Sequence, residues 1–375
     1  MKKIIFSFGL LLSSGWAFAQ IPATYYNNAT AEGYTLKTQL KNIISAGYNQ
    51  RSYDALKSLY TNNSAKNGFK DKYYENDNTI LDIYSENPTG SDPYNFVPGQ
   101  KECGNYSGEG SCYNREHLIA QSYFNQALPM RSDAFHVWPT DGYVNNRRGN
   151  YPFGVVANAT WTSRNGGKLG VNANAGYSAG YSGMVFEPID EFKGDIARAF
   201  FYFATRYEDR LPNFYSNRTS TNVGQMFDGS SNKSFTDTFF SILYTWHIMD
   251  PVSQRERDIN DLIYYEHQNN RNPYIDHPEW VEKVWKTNLA VDDITYQDRH
   301  DISVYTQANK IVVRLENASK AIDQVTVYNL NGQVVKQVKN TAKVKEVNVS
   351  MDSKGIFIIK VEGQAMEINR KVVLN

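Results

Sequence analysis

Apolar residues recur along this chain with two periods, and the place where the period changes divides it. Leu36, Leu40, Ile43 and Ile44 return every three to four positions, which predicts an amphipathic helix. Residues 53–60, around Leu56 and Leu59, predict a second, shorter one. Ile196, Phe200, Phe203 and Tyr207 repeat the helical spacing, with Asp195 after Gly194 as the expected N-cap. So do Phe239, Phe240, Leu243 and Trp246, and then Ile259, Leu262 and Ile263. Between these helices residues 79–85 (TILDIYS) are β-prone and precede a Pro-, Gly-, Ser- and Asp-rich loop at 86–100. Residues 164–183 hold six glycines but no phosphate-binding glycine motif, and are expected to form a surface loop. Beyond about residue 301 the texture becomes a series of short β-type runs at 311–315, 324–328, 333–335, 346–349, 356–361 and 371–374, spaced by turn signals such as Asn331-Gly332. The expected fold class is α+β: a mainly helical region with a few short strands, followed by a small β-sandwich.

The ends and the charge refine that division. Lys2-Lys3, an apolar run over 4–18 and Ala17-Phe18-Ala19 have the three parts of a secretory signal, so residues 1–19 are expected to be removed. The run is too short for a stable membrane span, and no transmembrane segment is expected elsewhere. The domains are then 20–295 and 301–375, and a soluble monomer is expected. The two cysteines, Cys103 and Cys112, flank a Gly- and Ser-rich loop; in an exported chain they form one local disulfide, the alternative being two free thiols. Net charge is zero, but unevenly spread. Residues 1–19 carry +2 and residues 301–375 carry +4, from eleven basic and seven acidic side chains, which leaves −6 on 20–300. An acidic body argues against a broad basic groove and for cations gathered at one spot.

That spot is residues 113–154, where carboxylate, imidazole, carboxamide and guanidinium groups crowd together: Arg115-Glu116-His117, then Asp133, His136 and Asp141, then Val144-Asn145-Asn146-Arg147-Arg148. Oxygen donors for a hard cation, an imidazole that ionises near neutrality and fixed cations for an anion are the components of metal-assisted phosphodiester hydrolysis. No G-x-S-x-G or H-E-x-x-H pattern points to a peptidase or esterase. Neighbouring residues on a regular strand face opposite ways, so Glu116 and His117 serve one site only at a bulge, turn or strand end.

The segment resembles the bacterial endonuclease I family, secreted non-specific nucleases with a ββα-metal active site. The resemblance continues through Asp82-Ile83-Tyr84-Ser85, Phe186-Glu187-Pro188, residues 193–198, Asp250-Pro251-Val252 and residues 268–278, spanning most of 35–285. It implies that Glu116 and Asn145 bind a metal, Mg²⁺ with Mn²⁺ or Ca²⁺ as substitutes, and that His117 activates water. Asn146 and Asn150 are the neighbours that compete with Asn145 for its role. Arg148 aligns with a catalytic, phosphate-contacting position, Arg115 and Arg147 are further candidates for binding substrate, and Asp133 and His136 are expected to orient the site. His136 is equally readable as a structural histidine, because Phe135 stands where relatives place a histidine two residues after the Asp. The tail resembles a type IX secretion sorting domain, on Val327-Tyr328-Asn329-Leu330-Asn331-Gly332, residues 355–361 and the basic-apolar end 371–374; a carbohydrate- or protein-binding β-module is the alternative. Together these imply a secreted or cell-surface endonuclease acting on DNA and RNA and leaving 5′-phosphate ends, with secretion machinery as partner. The rival is a surface binding module on a degenerate nuclease scaffold.

Overall fold

The computed structural model describes residues 21–289, 302–307, 309–315, 321–329, 333–363 and 366–374. The expected signal segment, the boundary between 295 and 301 and the Asn331-Gly332 turn lie outside the described residues. Contacts separate two compact units, one comprising Met1–Asn172 and Ser182–Val284, the other Ala173–Tyr181 and Trp285–Asn375.

In the first unit helices α1 (Gly33–Ser45) and α2 (Ala55–Thr61) form where the apolar spacing predicts them. Strands β1 (Tyr113–His117) and β2 (Val137–Asp141) pair antiparallel with Glu116 opposite Trp138 and His117 opposite Val137, and β2 runs directly into α3 (Gly142–Arg148). This is the ββα unit that the resemblance implies. Strands β3 (Val156–Thr162), β4 (Lys168–Asn172) and β5 (Met184–Glu187) form a second antiparallel sheet in that order.

The centre of the unit is α4 (Lys193–Arg206), buried on every side from Lys193 to Thr205. Phe200 meets Phe153, Phe227 and Phe239 at ring-centroid distances of 5.1–6.5 Å. Each such buried ring contributes roughly 1.5–3 kcal/mol by leaving water. Around it lie α5 (Leu211–Ser216), α6 (Thr221–Met226), α7 (Asp237–Met249), α8 (Gln254–Leu262) continuing as a π-helical turn over Ile263–Gln268, and α9 (Pro273–Asp276), followed by α10 (Trp280–Leu289).

Three expectations need correction. Residues 79–85 form a turn with one isolated bridge at Ile80, not a strand: Asp82 accepts the Tyr84 amide at 2.9 Å and its carbonyl takes the amides of Ser85 and Glu86. The glycine-rich stretch after Arg164 contains β4. Gly170 belongs there because a Cβ would stand 2.3 Å from the Asn158 carbonyl oxygen across the sheet. Asp195 is not the cap of α4, which Phe192 precedes; its carboxylate instead pairs with Arg198 at 3.2 Å and Arg255 at 2.6 Å inside the core.

The second unit contains β6 (Ile302–Gln307), β7 (Lys310–Leu315), β8 (Ile322–Tyr328), β9 (Val334–Lys339), β10 (Glu346–Ser350), β11 (Gly355–Gly363) and β12 (Met366–Leu374). They make two antiparallel sheets, β10-β7-β6 and β12-β11-β8-β9. Ile311, Val313 and Val349 from one sheet share a core with Val325, Val327 and Ile359 from the other. The sandwich is therefore present, with β6 as a strand beyond the six expected.

Candidate active site

Glu116 and His117 are the last two residues of β1, paired in regular register with Trp138 and Val137, and the Leu118 amide still donates to the His136 carbonyl at 3.0 Å. The expected bulge is not present, and only His117 stands at the strand end. Both line one cleft of about 640 Å³, together with Tyr53, Arg115, Asn145 and Arg148.

Glu116 is 1% exposed. Its Oε1 accepts the Tyr84 hydroxyl at 2.8 Å and lies 3.2 Å from the Arg148 guanidinium. Burial pushes its carboxyl up to about 7, against the pull of Arg148, Tyr84 and the His117 amide. A carboxylate so placed gains from a further positive charge, and its roughly four lone-pair positions are not exhausted by these partners.

Asn145 lies within α3, whose start is fixed by Asp141. One oxygen of Asp141 accepts the Val144 amide at 2.8 Å as the N-cap, the other accepts the Gly110 amide at 2.8 Å, and the Asp141 amide donates to Asp82 at 2.8 Å. The Asn145 Nδ2 donates to Asn114 Oδ1 at 2.7 Å, so its side-chain oxygen is the atom that could face an ion. A carboxylate and a carboxamide oxygen in one cleft fit a hard divalent ion that keeps several waters.

His117 donates Nε2–H to the Arg131 carbonyl at 3.0 Å, which leaves the lone pair on Nδ1. Burial, with His136 and nearby arginines, pulls its pKa down to about 3, so the ring is neutral at physiological pH. Tyr53 stacks on it at 5.7 Å between centroids, and Arg115 covers the Tyr53 ring at 3.7 Å. His136 stands 6.0 Å from His117 and donates Nε2–H to the Met130 carbonyl at 2.7 Å. Burial holds it down at about 4. Two adjacent carbonyls of one 3₁₀ turn (Met130–Ser132) thus aim two histidines.

Asp133 fixes that turn without touching His117. Its carboxylate accepts the hydroxyls of Tyr202 at 2.9 Å and Tyr207 at 2.7 Å, the Gln268 amide at 2.7 Å and the Phe135 backbone amide at 3.1 Å. Its influence on His117 passes through the backbone.

The arginines fall into three settings. Arg148, 1% exposed, donates to the carbonyls of His117 at 3.0 Å and Leu118 at 2.6 Å besides pairing with Glu116, so it ties β1 and α3 together. Arg115 lines the cleft but is also held by the Tyr53 carbonyl at 2.8 Å and Glu102 at 3.3 Å. Arg147 is exposed over Tyr143 and Trp161 and does not line the cleft.

Sequence reasoning gave no role to Tyr53, Tyr84, Asn114 or the Arg131 carbonyl. Tyr84 alone carried a signal, lying in the Asp82–Ser85 segment of the resemblance. The expected Cys103–Cys112 disulfide is formed, with Cα atoms 5.8 Å apart, and closes the loop that leads into β1.

Comparison with known proteins places the chain in a family. The endonuclease I family model matches residues 32–279, and the secretion system C-terminal sorting domain matches residues 303–375. An extracellular ribonuclease of Bacillus subtilis (strain 168) is 34% identical over 267 residues, covering 70% of this chain and 78% of the relative. An extracellular ribonuclease of Bacillus amyloliquefaciens is 33% identical over the same shares. Nucleases of this family are commonly metal-dependent and act on nucleic acid. The sorting domain implies secretion machinery and a secreted or surface location, and among the described residues no helix is long and apolar enough to cross a membrane. The ββα unit and the match over residues 32–279 lead to one conclusion: the chain belongs to the endonuclease I family and carries a C-terminal secretion-system sorting domain.

Proposed function

We propose that this chain, freed of residues 1–19, is a secreted endonuclease whose 20–295 region hydrolyses phosphodiester bonds in DNA and RNA with little sequence preference and leaves 5′-phosphate ends. The observation that carries the reading is the convergence of Glu116, His117 and Asn145 on one cleft, with the imidazole neutral and its Nε2–H already engaged.

Glu116 and Asn145 would hold Mg²⁺, which when bound supplies Lewis-acid stabilisation of charge on the departing 3′-oxygen. His117 Nδ1 takes the proton from water as its oxygen attacks phosphorus in line. A ring held near 3 is a weak base, so this step draws on the anionic phosphate beside it and on the Arg131 carbonyl, which both favour the imidazolium as it forms. Arg148 positions Glu116 and the end of β1. Arg115 is the cleft cation best placed to meet a phosphate, and contacts of that kind position a strand without identifying bases, which accounts for low sequence preference.

The test is incubation of the purified chain with plasmid DNA and with RNA, in Mg²⁺ and in EDTA, beside His117→Ala. Cleavage of both polymers in Mg²⁺, its loss in EDTA, and a decrease of about 10²–10⁴-fold in the variant are expected, with circular dichroism unchanged. Intact substrates in Mg²⁺ would favour the binding-module reading; a fully active variant would remove His117 from the mechanism.

A further inference from the structure

The segment that brings Tyr84 to Glu116 ends, two residues later, in a second group of carboxylates. Asp71, Glu75 and Glu86 each offer an oxygen, and these three atoms lie within 4.8 Å of one another. Asp71 is oriented by its own loop, accepting the amides of Tyr73 and Tyr74 at 3.0 Å and of Asn76 at 2.9 Å. Glu75, on the surface, accepts the Asp92 amide at 2.9 Å. Glu86 is 0% exposed, and both its oxygens are buried without a hydrogen-bond partner.

That last fact separates the group from an ordinary acidic patch. An unsatisfied buried polar group costs about 1–3 kcal/mol and a charged one more, so two orphaned oxygens on one carboxylate call for a partner. Arg255 does not supply it, since its guanidinium is bonded to Asp195 at 2.6 Å and to the Gly68 carbonyl at 3.2 Å. Burial beside Asp92, Asp71 and Glu75 pushes the Glu86 carboxyl up to about 9. A proton would remove the charge but leave the second oxygen still without a donor. A cation satisfies both oxygens at once.

We propose that Asp71, Glu75 and Glu86 bind a structural Ca²⁺ ion at a site separate from Glu116 and Asn145. The donor set is all oxygen, with no histidine or cysteine to favour zinc or copper. Three carboxylates, one of them enclosed, suit an ion that accepts bidentate carboxylates and irregular geometry better than Mg²⁺, which keeps its waters. The ion joins residues 71–75 to residue 86 and so clamps both ends of the turn whose Tyr84 holds Glu116 and whose Asp82 holds the start of α3.

The experiment uses the full chain with Glu116→Gln and Asn145→Ala, which disable the active-site ligands and make the result independent of the nuclease reading. In this background Ca²⁺ raises Tm saturably, and Tb³⁺, excited through Tyr73 and Tyr74, luminesces until Ca²⁺ displaces it. Adding Glu86→Gln abolishes both responses while leaving the ion-free Tm equal or higher, because the amide keeps the shape of the acid and never carries a buried charge. Adding Glu75→Gln, at an exposed side chain that the fold does not need, lowers Ca²⁺ affinity about tenfold or more, as ligand charge count dictates. No Ca²⁺ response in the background variant overturns the proposal, as does an undiminished response in the Glu75 variant.

Discussion

Tyr84 and Arg148 hold the same oxygen of Glu116, and their losses will be felt differently. Removing the Arg148 side chain leaves a buried carboxylate unpaired and two carbonyls without donors, a change on the scale of about 3–5 kcal/mol that threatens the fold itself. Tyr84→Phe keeps the ring against Phe186 and removes only the hydroxyl. We expect it to raise the Mg²⁺ concentration needed for half-maximal cleavage by about 10–100-fold, the usual cost of losing a partner behind a metal ligand. A magnesium titration of plasmid nicking, alongside thermal melting, reads this out; an unchanged titration would show that the hydroxyl does not tune Glu116. The candidate ligands and base were legible because Arg-Glu-His and Asn-Asn-Arg-Arg are dense in the right chemistry over a few residues. The work of Arg148 was not, because a guanidinium becomes a strut or a phosphate clamp according to which carbonyls it meets. Those of His117 and Leu118 are about thirty residues away along the chain.

At the level of elements, α3 is the vulnerable part. It has seven residues, too few to persist alone, yet it must present Asn145. Its start depends on Asp141, which serves the Val144 and Gly110 amides together. Asp141→Ala removes a cap worth about 1 kcal/mol and strands a second amide, so a loss of roughly 1–3 kcal/mol is expected. Urea denaturation measures it, and a magnesium titration should show weaker ion binding, since Asn145 loses its fixed position. A midpoint equal to wild type would mean that α3 needs no cap. Helices with a clear apolar stripe, such as α1 and α7, were readable in advance. The turn at 79–85 was not, since its residues have strand propensity and only the Asp82 side chain, bonding back to Tyr84, redirects them. Nor was β4, whose glycine at 170 weakens any local strand signal and is present because the Asn158 carbonyl passes too close for a side chain.

Across the whole molecule the change of apolar period located the β-sandwich, and the −6 on residues 20–300 located charge but not its burial. Burial decides how stability responds to pH. His117 is held at about 3, and His136, His247 and His267 at about 4, all chiefly by desolvation. Unfolded histidines titrate near 6.5, so these four oppose folding only below that value and fall silent above it. Asp82, raised to about 8 by burial and by Asp141, and Glu86, raised to about 9, behave oppositely. Their folded values exceed the unfolded value near 4, so the stability they contribute is fully present below about pH 4 and is lost as pH climbs to 8 or 9. Between pH 6.5 and 8.5 the histidines are silent and the raised carboxyls lead, with Lys37, lowered to about 8 by burial, opposing them only at the top of the window. Ion-free protein is expected to weaken, by at most about 1.4 kcal/mol per pH unit for each proton involved. Urea midpoints in EDTA at pH 6.5, 7.5 and 8.5, chosen to bracket about the 8 of Asp82, are expected to fall in sequence. Asp82→Asn keeps one acceptor for the backbone amides and removes the ionisation, so its decline should be shallower. A midpoint that holds level in wild type, or an equally steep fall in the variant, would mean that Asp82 is solvated or paired in solution and that the turn carrying Tyr84 is looser than its hydrogen bonds imply.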